Sequence, residues 1–343
     1  MEEQGPEFAV QQNRPITFLI LYVVRFASGL SAEGVVMIMP AVCAVGFSLG
    51  VFWFVRVGTK NDPLALLSAL LTTVSFQTTV SVYTYSVSNW IALLETFIFF
   101  GLLLKGFETH HRSSAIAASA VGVVLLLTHL WCWTVMMVVL LLYVAVYAFK
   151  FLRKKTDEKS IIKQLVFVFA TNLVFCAVYG LLPFGKAVGE AVTGTLPFTL
   201  QNLSTFPFVS VYAGLDSAVH LWVGGIYGNA PLLILAILGL FLAKGQSARF
   251  GNLLWAWMAA VSSTLLFLSA ESYFFYRMMY LVPIQIFAAF GLSWCLSGFD
   301  RFSVLNEKRT LRVVFKVLLV ILVVLFLLNA ALRSVESAPL HLL

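Results

Sequence analysis

Long apolar stretches alternate with short polar ones along almost the whole of this 343-residue chain. A helix needs about 20 apolar residues to cross the hydrocarbon core of a bilayer, and most of the stretches have roughly that length. The pattern therefore predicts an all-α protein, a polytopic bundle of about 10 to 11 transmembrane helices. The apolar segments span residues 16–30, 35–55, 64–83, 87–105, 114–129, 132–149, 161–184, 219–243, 251–269, 273–297 and 310–332.

The polar turns between these segments are of two kinds. Most of the 22 Lys and Arg residues lie in every second turn, at 56–60, 105–112, 150–163, 244–249 and 301–316. Almost none lie in the turns between, near 33, 83–89, 129, 185–218 and 271. Because short loops rich in Lys and Arg stay in the cytoplasm, the second kind is predicted to face outward. We call the two sides of the bundle the basic end and the outward end.

Segment 16–30 departs from this pattern, because it is short for a membrane span and contains Arg25. It either crosses where the bilayer is thin or lies in the outer interface as an amphipathic helix. The predicted organisation is a polar segment 1–15, a single transmembrane domain 16–332 with an outward loop 185–218, and a short tail 333–343.

The composition excludes an ordinary soluble domain. Hydrophobic residues make up 61% of the chain and charged residues 11%, whereas soluble domains contain about 25% charged residues. The net charge of +7 lies in short loops, so it indicates membrane topology and not nucleic-acid binding. The 4 cysteines lie in or beside apolar segments, and no CxxC or HExxH spacing occurs. No cofactor is identified, and dependence on a divalent metal is left open.

Ionisable residues inside a membrane bundle mark candidate sites, because burying them is costly. The strongest group is Glu271, Tyr273, Arg277 and Tyr280, at the outward start of segment 273–297. The two tyrosines share a helix face with Arg277, and a guanidinium flanked by phenols suits a phosphate group. The alternative is an arginine that reaches the lipid headgroups within an ordinary aromatic belt.

A second group, His129, Trp131 and Trp133, interrupts the apolar sequence at an outward turn. The imidazole could act as an acid, a base or a hydrogen-bond donor, and the indoles could stack on a sugar ring. Interfacial tryptophans also anchor membrane proteins, so both interpretations stay open. Asp216 and His220 share a helix face if the helix extends back that far, although Asp216 is equally suited to cap that helix.

Three more polar residues lie near the outward end. Glu95 must face the bundle interior or a partner group, and Asn89 lies on the turn above it. Glu33 is placed to pair with Arg25. No residue is identified as catalytic, and the acidic candidates are Glu271, Glu95 and Glu33. The candidates for substrate binding are Arg277, Tyr273, Tyr280, His129, Trp131, Trp133, Asp216, His220 and Asn89.

Four short stretches combine these residues in a recognisable way. They are Asn13–Tyr22 (NRPITFLILY) with Met39-Pro40 beyond it, Tyr83–Trp90 (YTYSVSNW), His129–Trp133 (HLWCW) and Arg277–Pro283 (RMMYLVP). Together they resemble GT-C-type polytopic membrane glycosyltransferases that depend on polyprenyl-phosphate sugars. The resemblance covers most of residues 13–297 and corresponds to the membrane portion after the first catalytic extracytoplasmic loop.

The resemblance implies transfer of a sugar from a polyprenyl-phosphate carrier to an acceptor at the outer face of a prokaryotic cell membrane. It places the carrier phosphate on Arg277 and the donor near His129. It also makes segment 16–30 a juxtamembrane helix and so favours the interfacial interpretation. Polyprenyl-phosphate sugar and membrane lipids are the partners that it implies.

The chain departs from the family pattern in its acidic residues. Family members take their base from an outward loop ahead of the region matching Asn13, where this chain has only Glu2, Glu3 and Glu7. Many members have a second acidic residue in the turn that here contains Asn89. Three explanations stay open: the natural start lies before Met1, a partner chain supplies the acidic loop, or the protein is a non-catalytic relative.

Two other functions fit the same topology. A flippase, polymerase or ligase of polyprenyl-linked glycans tends to have several basic residues outside, and the loop 185–218 offers only Lys186. A transporter or a non-catalytic complex subunit is the third alternative. A transporter needs an ionisable pathway across the bilayer, and the segments contain little of that kind below Glu95 and Arg277.

Overall fold

The apolar segments fold into helices. The computed structural model describes residues 14–75, 77–79, 81, 87–109, 111–153, 159–181, 230–243, 247–267, 280–298, 313–314, 317–325 and 329. Within these ranges the backbone is overwhelmingly helical and contains no strand. The helices are α1 (Pro15–Ser28), α2 (Ala32–Thr59), α3 (Asp62–Thr72), α4 (Val87–Thr109), α5 (Arg112–Thr128), α6 (Leu130–Leu152), α7 (Lys159–Leu181), α8 (Ala230–Leu242), α9 (Ala248–Phe267) and α10 (Ile284–Gly298).

Several predicted features lie outside the described residues. These are the N-terminal segment up to residue 13, the outward loop 185–218, the tail 333–343, and the candidate residues Asp216, His220, Glu271, Tyr273 and Arg277. Where the chain is described, helix boundaries agree with the predicted segments to within a few residues, except in the two segments that α3 and α10 only partly fill.

Among the residues that the structure describes, four helices are long and apolar enough to cross a membrane by length and composition, namely α2, α4, α6 and α7. Helices α1, α5, α8 and α10 are shorter and apolar. Large aliphatic side chains on the outer faces are exposed, for example Leu49 at 62%, Val174 at 63% and Ile234 at 66%. Water is a poor solvent for such a surface, whereas lipid tails are a good one. The described helices therefore form a multi-pass membrane bundle.

The centre of the bundle is an aromatic cluster contributed by α2, α4 and α9. The ring of Phe97 lies 5.4 Å from that of Phe54 and 5.3 Å from that of Trp257, and Phe54 lies 5.1 Å from Phe250. All four side chains are at most 1% exposed. Tilted aromatic pairs at these separations stabilise a core beyond their buried area, so α4 is fixed between α2 and α9.

Polar contacts tie together the ends of several helices on the basic side. Arg56 and Asp62 pair at 2.8 Å across the turn between α2 and α3, and Lys60 pairs with Glu108 at 2.5 Å. The guanidinium of Arg249, at the start of α9, donates to the carbonyl of Phe107 at 2.9 Å. The ends of α2 and α4 and the start of α9 thus lie together, as the alternation of basic turns predicts.

Helix α1 does not run through the bundle. The guanidinium of Arg14, before its first turn, donates to Ser88 in the first turn of α4 at 2.6 Å. At its other end, Gly29 (φ 68°) ends the helix, and Ser31 caps the outward start of α2. Both ends therefore stay in the outward half, which favours the interfacial interpretation of segment 16–30. One side of α1 is apolar and exposed, through Leu19, Tyr22, Val23 and Phe26.

Two predicted helices are interrupted. Segment 64–83 ends its helix at Thr72, because the hydroxyl of Thr73 bonds the carbonyl of Leu70 at 2.7 Å and that of Ser75 bonds Thr72 at 2.8 Å. Such hydroxyls compete with the helical backbone pattern. Segment 273–297 has a non-helical turn before α10, because Pro283 has no N–H and its ring opposes a continuous helix.

Candidate functional site

Glu95 and Thr128 join α4 to the outward end of α5. The hydroxyl of Thr128 lies within donating distance of two acceptors, Glu95 Oε1 at 2.9 Å and the carbonyl oxygen of Val124 at 2.9 Å. Glu95 is 9% exposed and Thr128 is fully buried. Glu95 Oε2 is also buried and has no hydrogen-bond partner in the part of the chain that the structure describes. The buried carboxyl group of Glu95 therefore has one oxygen, Oε1, in a hydrogen bond to Thr128 and one oxygen, Oε2, without a hydrogen bond among the described residues.

This contact fixes the relative height of the outward helix ends. Glu95 lies eight residues inside α4, about 12 Å from its start, whereas Thr128 is the last residue of α5. Helix α4 therefore begins about two turns farther outward than the turn between α5 and α6. We call the region where α4 extends beyond the turn between α5 and α6 the α5–α6 step; it contains Glu95, Thr128, His129 and Trp131. Helix α1 packs against α2, α4 and α5 and so lies beside it.

His129 is the whole connection between α5 and α6. Its backbone N–H bonds the carbonyl of Leu125 at 2.8 Å and ends α5, while its Nδ1 accepts from the backbone N–H of Cys132 at 3.3 Å and caps α6. A ring nitrogen that accepts has no proton, so the neutral imidazole has its proton on Nε2. The sequence predicts an acid, a base or a donor here. The cap occupies Nδ1 of this buried side chain, so a donor role would fall to Nε2–H.

The two roles of His129 can be separated by substitution. His129→Asn keeps an acceptor at the position of Nδ1 and should retain the thermal stability, whereas His129→Ala should lose about 1 kcal/mol with the cap. Both variants lack Nε2–H, so both should bind a lipid-linked sugar more weakly if that group contacts the donor. Thermal unfolding and ligand titration of the same samples check this, and unchanged binding by His129→Asn would leave the residue a cap alone.

The two tryptophans of this turn have different environments. Trp133 is 5% exposed, and its indole N–H donates to Asn172 of α7 at 3.3 Å. A Cβ on Gly122 of α5 would lie 2.3 Å from that Asn172 side chain, so Trp133 belongs to a tight contact among α5, α6 and α7. Trp131 is half-buried. Of the two indoles, Trp131 is the more exposed.

Tyr280 comes from another part of the chain. Its side chain is 6% exposed, and its hydroxyl is hydrogen-bonded to that of Ser81. Tyr280 is therefore buried beside Ser81, with its hydroxyl already used inside the bundle.

The remaining described candidates, Asn89 and Glu33, lie in the first turns of α4 and α2, at the outward ends of these helices. Asn89 is half-buried in the first turn of α4, next to the Ser88 that binds Arg14, and its Oδ1 is buried without a hydrogen-bond partner among the described residues. Glu33 is exposed in the first turn of α2. Of the two acidic candidates that are described, Glu95 is the one that is buried and contacts the end of α5.

Sequence reasoning missed several polar partners in this region. Thr128 received no role although it directly precedes His129, and Ser81, Gln77 and Gln285 were absorbed into apolar segments. A run of hydroxyl and amide residues from Thr72 to Ser81 within an otherwise apolar stretch is the signal that could have identified two of them, Gln77 and Ser81. The described residues contain no group of three or more His, Cys, Asp or Glu side chains that could hold a metal ion.

Comparison with known proteins identifies the fold. No protein-family model matches the chain, and no curated protein matches it. The structure is similar to that of the archaeal oligosaccharyltransferase AglB from Archaeoglobus fulgidus, determined in complex with an inhibitory peptide and a dolichol-phosphate. The TM-score is 0.59 at 14% sequence identity, over 95% of this chain and 48% of AglB, so the chain spans about half the length of that protein. The chain is a multi-pass, all-α membrane protein with a GT-C-like fold.

Proposed function

We propose that this protein binds a polyprenyl-phosphate-linked sugar at its outward end and takes part in transferring the sugar to an acceptor there. The observation that carries the proposal is the α5–α6 step. On a GT-C-like fold, it gathers a buried carboxyl group with an uncommitted oxygen (Glu95), an imidazole N–H (His129) and a half-buried indole (Trp131) at the predicted outward face. The complex of AglB with a dolichol-phosphate supports a lipid-linked substrate for this fold.

Each group suits one part of such a substrate. The guanidinium of Arg277 would bind the carrier phosphate through charge-assisted hydrogen bonds, and Tyr273 is proposed to take part in the same binding. Trp131 would stack on the sugar, because an indole face buries the apolar side of a pyranose, and His129 Nε2–H would donate to a sugar oxygen. Substrate-binding roles for Asp216, His220 and Asn89 belong to the same proposal.

Glu95 is the carboxylate that we assign to proton acceptance. As the sugar leaves the phosphate oxygen, the acceptor group must lose a proton, and a positioned carboxylate can take it. Thr128 orients one oxygen of Glu95 and leaves Oε2 for this task. The family resemblance implies an acidic outward loop ahead of Asn13; where a longer natural chain or a partner chain supplies that loop, it would act with Glu95 and would be required in the transfer assay.

Binding of the donor is the direct test, because it needs no knowledge of the acceptor. The protein in lipid nanodiscs is titrated with a fluorescent polyprenyl-phosphate hexose. Arg277→Ala should weaken binding by about 10-fold to 100-fold, since hydrogen bonds between charged groups contribute about 1.5–3 kcal/mol. Arg112→Ala, an exposed arginine at the basic end, is the matched control and should bind like the wild type.

The outcomes separate the competing functions. If Arg277→Ala bound the donor with wild-type affinity, Arg277 would not be part of the binding site, although the protein would still bind a lipid-linked sugar. Absence of binding in the wild type, together with solute uptake into proteoliposomes, would replace the transferase with a transporter.

A further inference from the structure

The two interrupted helices meet inside the bundle. The broken part of segment 64–83 and the turn before α10 are linked by two side-chain hydrogen bonds. Gln77 donates through Nε2 to the carbonyl of Val282, and the hydroxyls of Ser81 and Tyr280 are bonded to each other. Helices α3 and α10 also pack against each other. We call residues 72–81 and 280–285 together the joint, referring to those of them that the structure describes.

Most of the backbone groups freed by the interruptions have partners. The hydroxyls of Ser75 and Thr78 both bond the carbonyl of Thr72, at 2.8 and 2.7 Å. The indole N–H of Trp257 donates to the carbonyl of Leu281 at 2.9 Å. Such partners are required, because an unpaired backbone group within a bilayer costs several kcal/mol. The interruptions are therefore built into the fold.

The side-chain amides of the joint are not satisfied in the same way. Gln285 is fully buried, and neither its Oε1 nor its Nε2 has a hydrogen-bond partner among the described residues. Gln77 is 1% exposed, and its Oε1 is also without a partner there. Leaving a buried polar group unpaired costs about 1–3 kcal/mol, so three such atoms in one place require an occupant.

The chemistry of these atoms specifies the occupant. Two amide oxygens need a donor and one amide nitrogen needs an acceptor, so the occupant both donates and accepts. The described residues of the joint include no charged side chain, which argues against an ion. All of these side chains are less than 9% exposed except those of Val282 and Thr73, so the occupant must be enclosed by the bundle, as single buried water molecules are.

We propose that the joint holds ordered water, bound by the amide of Gln285 and by Gln77 Oε1. Buried water typically makes about three hydrogen bonds to polar groups that protein atoms leave unsatisfied. Interrupted helices at membrane depth occur where they are enclosed by protein or line a hydrated cavity, and the joint is enclosed by protein. We place the water next to Tyr280, whose hydroxyl is bonded to Ser81 within the joint. It would be present whether or not the protein transfers a sugar.

Radiolytic labelling tests the water directly. Synchrotron X-rays convert bound water into hydroxyl radicals in place, so side chains next to internal water are oxidised although bulk radicals cannot reach them. In the wild-type protein in nanodiscs, Tyr280 should be oxidised within milliseconds of exposure. Phe97, in the dry aromatic cluster and 1% exposed, should remain unmodified. Radicals generated chemically in the bulk should modify neither residue. Equal absence of label on Tyr280 and Phe97 under X-rays would overturn the proposal.

A substitution provides a second readout. Gln285→Met keeps the length of the side chain and removes both amide atoms, so it should lower the X-ray labelling of Tyr280 several-fold. If the joint were dry, the same substitution would remove two unsatisfied polar atoms, raise the thermal midpoint and leave the labelling unchanged. That result would contradict bound water.

Discussion

Gly239→Ala is expected to lower the thermal midpoint of unfolding by several degrees, the largest stability loss that a single added methyl group should cause in the described helices. A Cβ built on Gly239 of α8 would lie 1.7 Å from the carbonyl oxygen of Phe287 in α10. A Cβ on Gly291 would lie 2.1 Å from the carbonyl oxygen of Leu235. Small residues let membrane helices approach until their backbones touch, and here both helices use one.

The size of the effect follows from what obstructs the methyl group. A flexible side chain could move aside, but a backbone carbonyl cannot, so α8 and α10 must separate along their contact. Overpacking of a tight core costs about 1–3 kcal/mol, and we expect Gly239→Ala at the upper end of that range. A loss of 1 kcal/mol lowers the midpoint by about 2–4 °C in domains of about 150–250 residues, and by somewhat less in a chain of 343 residues. Intrinsic tryptophan fluorescence during heating in nanodiscs measures the shift.

Gly180→Ala is the matched control. Gly180 lies in α7, and no atom is within 4 Å of the position its Cβ would occupy. Alanine is favoured over glycine in a helix by about 1 kcal/mol, so this variant should be unchanged or slightly more stable. Equal midpoints for the two variants would mean that α8 and α10 are not packed backbone to backbone.

Glu95→Gln should abolish most of the proposed sugar transfer while leaving the fold intact. The amide has the shape of the carboxyl group, and its oxygen can still accept from the hydroxyl of Thr128. It cannot accept a proton, however, and general-base catalysis contributes about 100-fold to 10,000-fold. The release of radiolabelled sugar from the polyprenyl-phosphate donor, with any required partner chain present, measures the loss.

Glu33→Gln is the control for this experiment. Glu33 is an exposed carboxylate on the outward side of the bundle, and its removal should leave transfer close to the wild-type rate. Wild-type transfer by Glu95→Gln would reduce Glu95 to a structural partner of Thr128. Loss of thermal stability in Glu95→Gln would equally contradict the catalytic assignment, because the substitution would then act through folding.

The helices could be predicted from the sequence because the bilayer imposes a simple length requirement. Segments 87–105 and 132–149 correspond to α4 and α6, whose continuous apolar character permits no other structure in lipid. The alternation of basic turns likewise predicted which helix ends lie together, as the Lys60–Glu108 and Arg249–Phe107 contacts at the basic end show.

Hydropathy could not reveal where a helix breaks inside the bundle. A hydropathy average over segment 64–83 treats Thr73 and Ser75 as mildly polar. In the structure their hydroxyls donate to backbone carbonyls, and α3 ends there. In segment 273–297, Pro283 was visible in the sequence, but the partner that satisfies the resulting turn, Gln77, is about 200 residues away in the chain. Long-range polar pairing of this kind has no periodic signature.

The sequence predicted where the candidate residues lie better than it predicted which hydrogen bonds their side chains make. Polar residues at outward helix ends identified His129 and Glu95, because charged and polar groups are costly elsewhere in a membrane. Their hydrogen bonds depend on how helices are placed against each other. The cap made by His129 Nδ1 and the burial of Trp133 against Asn172 follow from that placement, and they restrict which atoms remain for a substrate.

The one-residue connection at His129 has a mechanical consequence. Helices α5 and α6 share this residue as the end of one and the cap of the other, so the hairpin has no slack. Each residue of a helix turns the chain by about 100°, and even one added residue would swing Trp133 away from Asn172. Nor can α6 rotate about its axis without pulling on Thr128 and hence on Glu95. Helices α5 and α6 and the carboxyl group of Glu95 are therefore expected to move together as one rigid unit at the outward end of the bundle.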